Sequence, residues 1–534
     1  MSNSTSVIFC LALLSLLNCT ANAANILSII PFPMKSHDRI YKPLLFELAK
    51  KGHNITEITQ FKTGSLPKQN YHQIVVETRH KDLYEILDFH EIRQKTKMWN
   101  VGFQDLKLFW DMDYAVIEDI LKSNSVNSMI NSKDAHFDLL ICEGFFGYEA
   151  LFAFGHRYNA SIIAVSSLGS TIYMNPHIGN PILTASYPNF LLPYTHNMAL
   201  HERFHNSLLN FVTLLATTAY QLPNQQELVD RYFTESFKQN SIEPISLNQL
   251  VKEVDLVFIN RHPVLGFPRP HIPNVIDIAG LHLHKFDNNS NVDKELMKIM
   301  DDAISGFVYF SFGSNVNMAK MPEQQKSAFM KAFSRIPQTV LVRWDEVTIP
   351  DRPKNVYFRK WFPQQEILGH KNCKAFITHG GMLSIEEAVY NAVPIIGVAF
   401  FGDQPMNVLR AEQLGFGLRL EYDNVTETSL YWALNEIITS TSYTEVAEKV
   451  SSIFRDSPQS PLDRAVYWVE YVLKHNGAAH LKCHARHLNW IQYTSIDVVA
   501  LAIFIIYLIF YCIRKIYSIL LSSNSSKRSK HKQQ

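Results

Sequence analysis

An uninterrupted apolar run from Val498 to Ile513, followed at once by Arg514 and Lys515, constrains this chain more than any other feature. Sixteen residues in a helix span roughly 24 Å, a little short of a ~30 Å hydrocarbon core. Starting the helix near Trp490 lengthens it enough, and places Trp490 and Tyr493 at an aromatic belt with Asp497 near the interface. Lys527, Arg528, Lys530 and Lys532 lie beyond the run, so the positive-inside rule sets the tail in the cytosol and the preceding body on the other side. The body therefore folds as a water-exposed unit on a single membrane anchor.

The other end agrees with that topology. Val7 to Leu17 is almost wholly apolar, and Ala21-Asn22-Ala23 has the small-x-small pattern of a signal-peptidase site. The last five residues, Lys530-His531-Lys532-Gln533-Gln534, space two lysines as in a dilysine retrieval signal. The expected location is the endoplasmic-reticulum membrane, single-pass, with the body lumenal. Of six cysteines, only Cys142, Cys373 and Cys483 fall in the lumenal part, too few and too scattered for a disulfide framework. Sequons at Asn54, Asn159, Asn288 and Asn424 suit the same compartment.

With 534 residues, 47% of them hydrophobic, the chain is long enough for two ordinary cores. A formal net charge of +1 offers no electrostatic case for nucleic acid. Ile26–Pro31 reads as a buried strand, a loop follows, Pro43 opens a helical pattern, and Ile55–Ile58 is the next strand. This βαβ start predicts a parallel sheet. Phe137–Cys142 and Ile162–Val165 continue it, and the Pro-, Tyr-, Phe- and Leu-rich stretch from about 170 to 250 reads as helical core or pocket lining. A second series follows the polar segment Lys285–Lys294: strands at Phe307–Phe312, Gln338–Trp344, Val356–Trp361, Ala375–Thr378 and Pro394–Ala399, with helices between. The fold expected is α/β, two facing doubly wound Rossmann-like domains plus one C-terminal transmembrane helix. The divisions are a signal over 1–23, a first domain over 24–284, a second over 285–480, a juxtamembrane segment over 481–493, the span over 494–513 and a basic tail over 514–534.

In open parallel sheets ligands bind beyond the carboxyl ends of the strands. At such ends lie Phe310 to Asn315, with a glycine and hydroxyls; Thr378-His379-Gly380-Gly381, leading into a helix near Ser384; and Gly402-Asp403-Gln404. A Gly-Gly turn into a helix N-terminus suits an anion, and a carboxylate beside an amide suits sugar hydroxyls. Each alone is weak. In sequence, Trp361-Phe362-Pro363-Gln364-Gln365, then Thr378 to Glu387, then Asp403-Gln404, resembles the signature of the UDP-glycosyltransferase family.

The resemblance implies a GT-B architecture and a UDP-sugar co-substrate, with no cofactor and no metal. It implies that Trp361 stacks on uracil, Gln364 bonds the base edge or ribose, and Glu387 accepts from ribose hydroxyls. His379, Gly381, Ser384 and Ser314 would meet the diphosphate, helped by Arg261, while Asp403 and Gln404 would hold the sugar. His37, after the first strand, falls at the family's catalytic base. An imidazole, with an ordinary pKa of about 6.5, suits proton abstraction at neutral pH. Many relatives orient this histidine with an aspartate; the matching residue here is Glu143, one methylene longer, and Asp138 lies at the strand's other end. Asp111-Met112-Asp113 has the Asp-x-Asp form of a metal motif but sits in a helical run and reads as a solvated face.

The function implied is inverting transfer of a hexosyl group, preferably glucose because Asp403 to Asn407 resembles the invertebrate pattern, to a hydroxyl of a small lipophilic acceptor, as in detoxification. The alternatives are glucuronate or galactose transfer to a steroid or membrane lipid, and a silent UDP-sugar- or lipophile-binding protein. A homo-oligomer is compatible with the sequence, which carries no readable sign of oligomeric state.

Overall fold

The computed structural model describes residues 23–79, 103–284, 292–314, 316, 318–344 and 352–530. The expected signal segment lies outside them except for Ala23, as do Asn288, Asn315 and Lys532.

Two parallel sheets organise the body. The first runs β3-β2-β1-β4-β5-β6-β7, built from β1 (Asn25–Ile30), β2 (Asn54–Thr59), β3 (Tyr71–Val75), β4 (Leu139–Glu143), β5 (Ser161–Ser166), β6 (Leu256–Ile259) and β7 (Val275–Asp277). The second runs β10-β9-β8-β11-β12-β13, from β8 (Phe307–Ser311), β9 (Thr339–Arg343), β10 (Val356–Arg359), β11 (Cys373–Thr378), β12 (Ile395–Gly397) and β13 (Gly417–Arg419). Every pairing is parallel, as in Ile26 with Ile55 and Leu139, or Ile377 with Phe310 and Ile396. The central strands are apolar on both faces because helices cover both, so they read as continuous hydrophobic runs. In each sheet the strand order reverses beside the strand that comes first in sequence, at β1/β4 and at β8/β11, and such a switch opens a crevice at the strand ends.

The expected loop after β1 is instead the start of a helix. Helix α1 (Lys35–Lys50) begins directly after Met34 and carries Pro43 inside it. Proline lacks only one N–H, and here packing of Ile40, Tyr41, Leu44, Leu45 and Leu48 into the core outweighs that loss. His37 consequently stands in a helical first turn, its N–H bonded to the Met34 carbonyl at 3.1 Å.

Helix α2 (Phe103–Lys122) contains Asp111 and Asp113. The solvated-face reading holds for Asp111 only: Asp113 is fully buried and accepts from the Tyr148 hydroxyl, while Asp111 bonds Tyr220. Burial pushes the Asp113 carboxyl well above its usual range. The two side chains diverge.

After α3 (Leu200–Ala216) and α4 (Leu222–Gln239), the chain crosses to the second domain, whose helices include α5 (Gln364–Leu368), α6 (Met382–Tyr390), α7 (Gln404–Leu414) and α8 (Thr441–Arg455). Helix α9 (Pro461–His475) then returns to the first domain. Its Ala465, Val466, Val469 and Val472 join the core around Leu44 and Leu45, and Glu470 pairs with Lys51 at 2.7 Å. The expected boundary at 480 thus assigns to the second domain a helix that packs with the first. A contiguous-segment reading of sequence cannot anticipate such a crossing.

A short helix α10 (Trp490–Tyr493) precedes α11 (Ile496–Lys530). Ser495 between them has φ of 57°, so the membrane helix does not begin at Trp490 as expected. The additional length comes from the other end. Among the described residues, Ile496–Leu521 is the one helix long and apolar enough to cross a membrane, and its 26 residues give about 39 Å. Arg514 and Lys515 lie within it, where long cationic side chains can reach towards the interface.

Candidate active site

The two sheets present their carboxyl ends to a shared cleft. Phe32, His37, Arg39, Ser167 and Phe190 line it from the first domain; Gly313, Arg343, Trp361, Glu387 and Asp403 are among those lining it from the second.

The first-domain wall carries a compact polar triad. Strand β4 ends on Glu143, fully within the sheet, and β5 leads to Ser167. His37 Nδ1 lies 2.5 Å from Glu143 Oε1 and 2.9 Å from Ser167 Oγ, while the Ser167 hydroxyl donates to the same Glu143 oxygen at 2.6 Å. The Phe32 ring stacks on the imidazole with centroids 4.2 Å apart. A carboxylate at Nδ1 fixes the tautomer that leaves the Nε2 lone pair available as a base. The expected pair of His37 and Glu143 is therefore in contact, and the extra methylene of glutamate does not prevent it. Asp138 is elsewhere, accepting from the Asn25 N–H and from His136. Ser167 went unread in the sequence because a lone serine after a strand has no signature.

The second-domain wall is built from backbone as much as side chain. His379 follows β11 and is held between two glycines: a Cβ on Gly313 would meet its ring at 2.7 Å, and one on Gly381 at 2.6 Å. Gly313, at φ of 69°, also needs the left-handed region that side chains disfavour. Gly381 is the N-cap of α6, which starts at Met382, slightly earlier than expected. The first-turn N–H groups of that helix lie next to the histidine, with the positive end of its dipole. Burial, with the Arg343 charge nearby, lowers the His379 pKa to about 4. At neutral pH the ring is uncharged and can offer an N–H but no formal charge. Arg343 at the end of β9, bonded through Nη1 to the Gly313 carbonyl at 2.6 Å, is a lining cation that the sequence reading missed. It lies in the strand reading Gln338–Trp344, where nothing distinguishes it from a strand-terminal arginine.

Gln364 opens α5 and donates to Ser384 Oγ at 3.0 Å and to Glu387 Oε2, so three expected site residues form one network. Burial raises the Glu387 pKa to about 6, against the opposing effects of Gln364 and Arg39. His282, from the interdomain stretch, sits between Glu386 and Glu387 at 3.6 and 3.7 Å. Trp361 is 53% exposed and lines the cleft, and the Arg39 guanidinium lies over its ring at 4.9 Å, across the domain gap. Asp403 caps α7 without a side-chain cap bond and accepts from Asn407 at 2.7 Å. Its carboxyl is pushed up by burial, with His37 exerting a small opposite effect from the facing wall. Gln404 is buried, its oxygen accepting the Phe400 and Phe401 N–H groups, so it shapes the loop that presents Asp403. Ser314 lines the cleft beside Gly313.

Arg261 does not belong to this cleft. Its guanidinium donates to the Phe267 carbonyl at 2.8 Å and to His271 at 3.1 Å, and approaches Asp277 at 3.4 Å. It fastens the segment after β6, and its neighbour Asn260 is the residue that lines the cleft.

Residues 27–530 match the family described as "UDP-glucoronosyl and UDP-glucosyl transferase". The chain belongs to this family. Among its relatives, UDP-glycosyltransferase UGT5 of Dactylopius coccus is 33% identical over 488 residues, covering 90% of this chain and 89% of that protein. Human UDP-glucuronosyltransferase 2B7 is 29% identical, covering 87% of each. The fold is that of the GT-B glycosyltransferases: the calicheamicin glycosyltransferase CalG4 superposes with a TM-score of 0.55 at 16% identity, covering 85% of this chain and 99% of that one. As a UDP-glycosyltransferase the protein takes a UDP-sugar donor, and its C-terminal apolar helix fits a membrane protein.

Proposed function

We propose that this UDP-glycosyltransferase transfers a hexosyl group, glucose by preference, to a hydroxyl of a small lipophilic acceptor with inversion. The observation that carries the reading is one cleft with a histidine–carboxylate base on one wall and a glycine-framed anion cradle on the other. In this scheme uracil stacks on Trp361, Gln364 and Glu387 take the ribose, and Asp403 with the Gln404 loop takes the sugar hydroxyls. The diphosphate meets the α6 N-terminus, the His379 N–H and Ser314, with Arg343 in place of Arg261 as the cation.

His37 Nε2 accepts the proton from the acceptor hydroxyl as that oxygen bonds the anomeric carbon. The bond from that carbon to the diphosphate oxygen breaks, and UDP leaves with the electron pair. Glu143 and Ser167 orient the ring, and Glu143 balances the charge it gains. One displacement inverts the centre, and the scheme needs no metal. The aromatic surfaces of Phe32, Phe109, Phe146 and Phe190 favour an apolar acceptor. The donor preference rests on the stretch Asp403 to Asn407. The apolar leader and terminal lysines support a lumenal body in the endoplasmic reticulum.

Membranes containing the protein, supplied separately with UDP-glucose, UDP-glucuronate and UDP-galactose and a panel of phenols and sterols, test this by UDP release. Release mainly with UDP-glucose is expected. Turnover with glucuronate alone overturns the sugar assignment, and donor binding without turnover on any acceptor favours the silent binder.

A further inference from the structure

A second hollow adjoins the cleft. It shares Leu168 and Phe190 with the cleft, and Asn210 of α3 and Met406 of α7 also line it. Leu168 directly follows Ser167, whose hydroxyl touches the His37 ring, so the hollow begins one residue beyond the proposed base. Thr171, in its wall, comes four residues after Ser167, and that length of chain spans at most about 14 Å. A flat molecule of two or three fused rings with its hydroxyl at His37 can extend into this space.

Unlike the aromatic part of the acceptor wall, the hollow is lined by a cation. The Arg269 guanidinium donates through Nη2 to the Pro181 carbonyl at 2.5 Å and lies 4.3 Å from the Tyr187 ring centroid. Neither partner carries a formal charge. Its Nε is buried with no hydrogen-bond partner, and among the described residues no carboxylate pairs with it. The neighbouring Arg261 takes Asp277 instead, at 3.4 Å. Burial lowers the Arg269 pKa, and the Arg261 charge acts in the same sense. A desolvated guanidinium costs free energy unless an anion meets it. A second unmatched group lines the same hollow: Thr171 is 3% exposed and its Oγ1 has no partner. A planar guanidinium fork with a hydroxyl suits a carboxylate.

We propose that this hollow is an anionic subsite of the acceptor site, and that the acceptor is an aromatic hydroxy acid whose far carboxylate is held by Arg269 and Thr171. The inference rests on transfer to an acceptor hydroxyl at His37. It narrows the acceptor from any lipophilic alcohol to one with an apolar middle, against Phe32, Phe109, Phe146 and Phe190, and a charged end. The carboxylate takes no part in the reaction. The new bond joins the hydroxyl oxygen to the anomeric carbon, the proton passes to His37 Nε2, and UDP leaves with the electron pair.

Two probes that share one skeleton, 2-naphthol and 6-hydroxy-2-naphthoic acid, separate the anionic contact from the apolar one. Calorimetric binding of each to the full-length protein saturated with UDP is expected to favour the acid by at least about tenfold, as for hydrogen bonds to a charged group. Arg269→Gln, which keeps an N–H for the Pro181 carbonyl, should bring the two Kd values to within about twofold of each other while UDP binding is unchanged. With UDP-glucose the acid should yield the phenolic glycoside, which resists hydroxylamine, and not the glycosyl ester. Equal affinity for the two probes in the unsubstituted protein overturns the proposal. So does a preference for the acid that survives Arg269→Gln, or an ester product, which would turn the carboxylate towards His37. Selective binding without sugar transfer to either probe upholds the subsite and counts against the transfer reading alone.

Discussion

The two walls of the cleft are built in different ways. The donor wall is assembled from turns at the ends of β8, β11 and β12, where glycines, helix N–H groups and short polar side chains lie within a continuous stretch of chain. The opposite wall joins His37 from α1 to Glu143 from β4 and Ser167 after β5, both more than a hundred positions away from it, and surrounds them with aromatic rings from several segments. A site made of backbone turns tolerates few changes of residue, whereas one made of side chains on a rigid sheet can be retuned one residue at a time. Binding of the donor and choice of acceptor can therefore vary independently.

If the walls have separate tasks, substitutions should separate into donor-affinity and turnover effects. The largest effect is expected for His37→Ala: kcat falls about 10²- to 10⁴-fold while the UDP-sugar KM stays within about twofold. Steady-state kinetics with both substrates varied would show it. Glu387→Ala should raise the donor KM by about 10- to 100-fold with a smaller change in kcat, since a hydrogen bond to a charged group is worth about 1.5–3 kcal/mol. An equal loss in both parameters would blur the division. Glu143→Gln should lower kcat by about tenfold and leave donor KM alone, because an amide still positions the ring but no longer balances its charge. Trp361→Ala removes a stacking surface worth about 0.5–1.5 kcal/mol and should raise donor KM by up to about tenfold. The Arg39 guanidinium now over that ring would then be free of it.

The smallest effect is one of pH. Burial raises the Glu387 pKa to about 6, so the free enzyme takes up a proton there as pH falls. A donor that needs the carboxylate binds the deprotonated form, and its KM should rise as pH drops through about 6 and be flat above. The Glu387→Gln variant should lose that dependence.

The same contrast explains what could be read from sequence. Trp361 to Gln404 is legible because turn glycines and strand-end polar residues occur in fixed order over a short stretch. His37 was legible from its place after β1, although its setting in a helix was hidden by Pro43, whose usual meaning as a helix start was overridden by packing. Glu143 was readable at the end of an apolar strand. Ser167 and Arg343 were not, because each is an ordinary residue made significant by a neighbour distant in sequence. Arg261 was expected near the phosphates from its place before the interdomain region, but its side chain turns back on Phe267 and His271 of its own domain. The exposed apolar residues of α3, among them Leu200, Phe204 and Phe211, lie in a stretch expected to be core or pocket lining. Periodicity shows that a helix has an apolar face and not which way that face points. The return of α9 to the first core was equally invisible to any segment-by-segment reading.

The central claim is that one wall binds the donor and the other carries out the chemistry, and calorimetric titration of UDP into His37→Ala tests it most directly. The account predicts that this variant binds UDP as the unsubstituted protein does while releasing UDP from UDP-glucose and a phenol at least about 10²-fold more slowly. A variant that turns over normally, or one that loses UDP binding while keeping its fold, would contradict it.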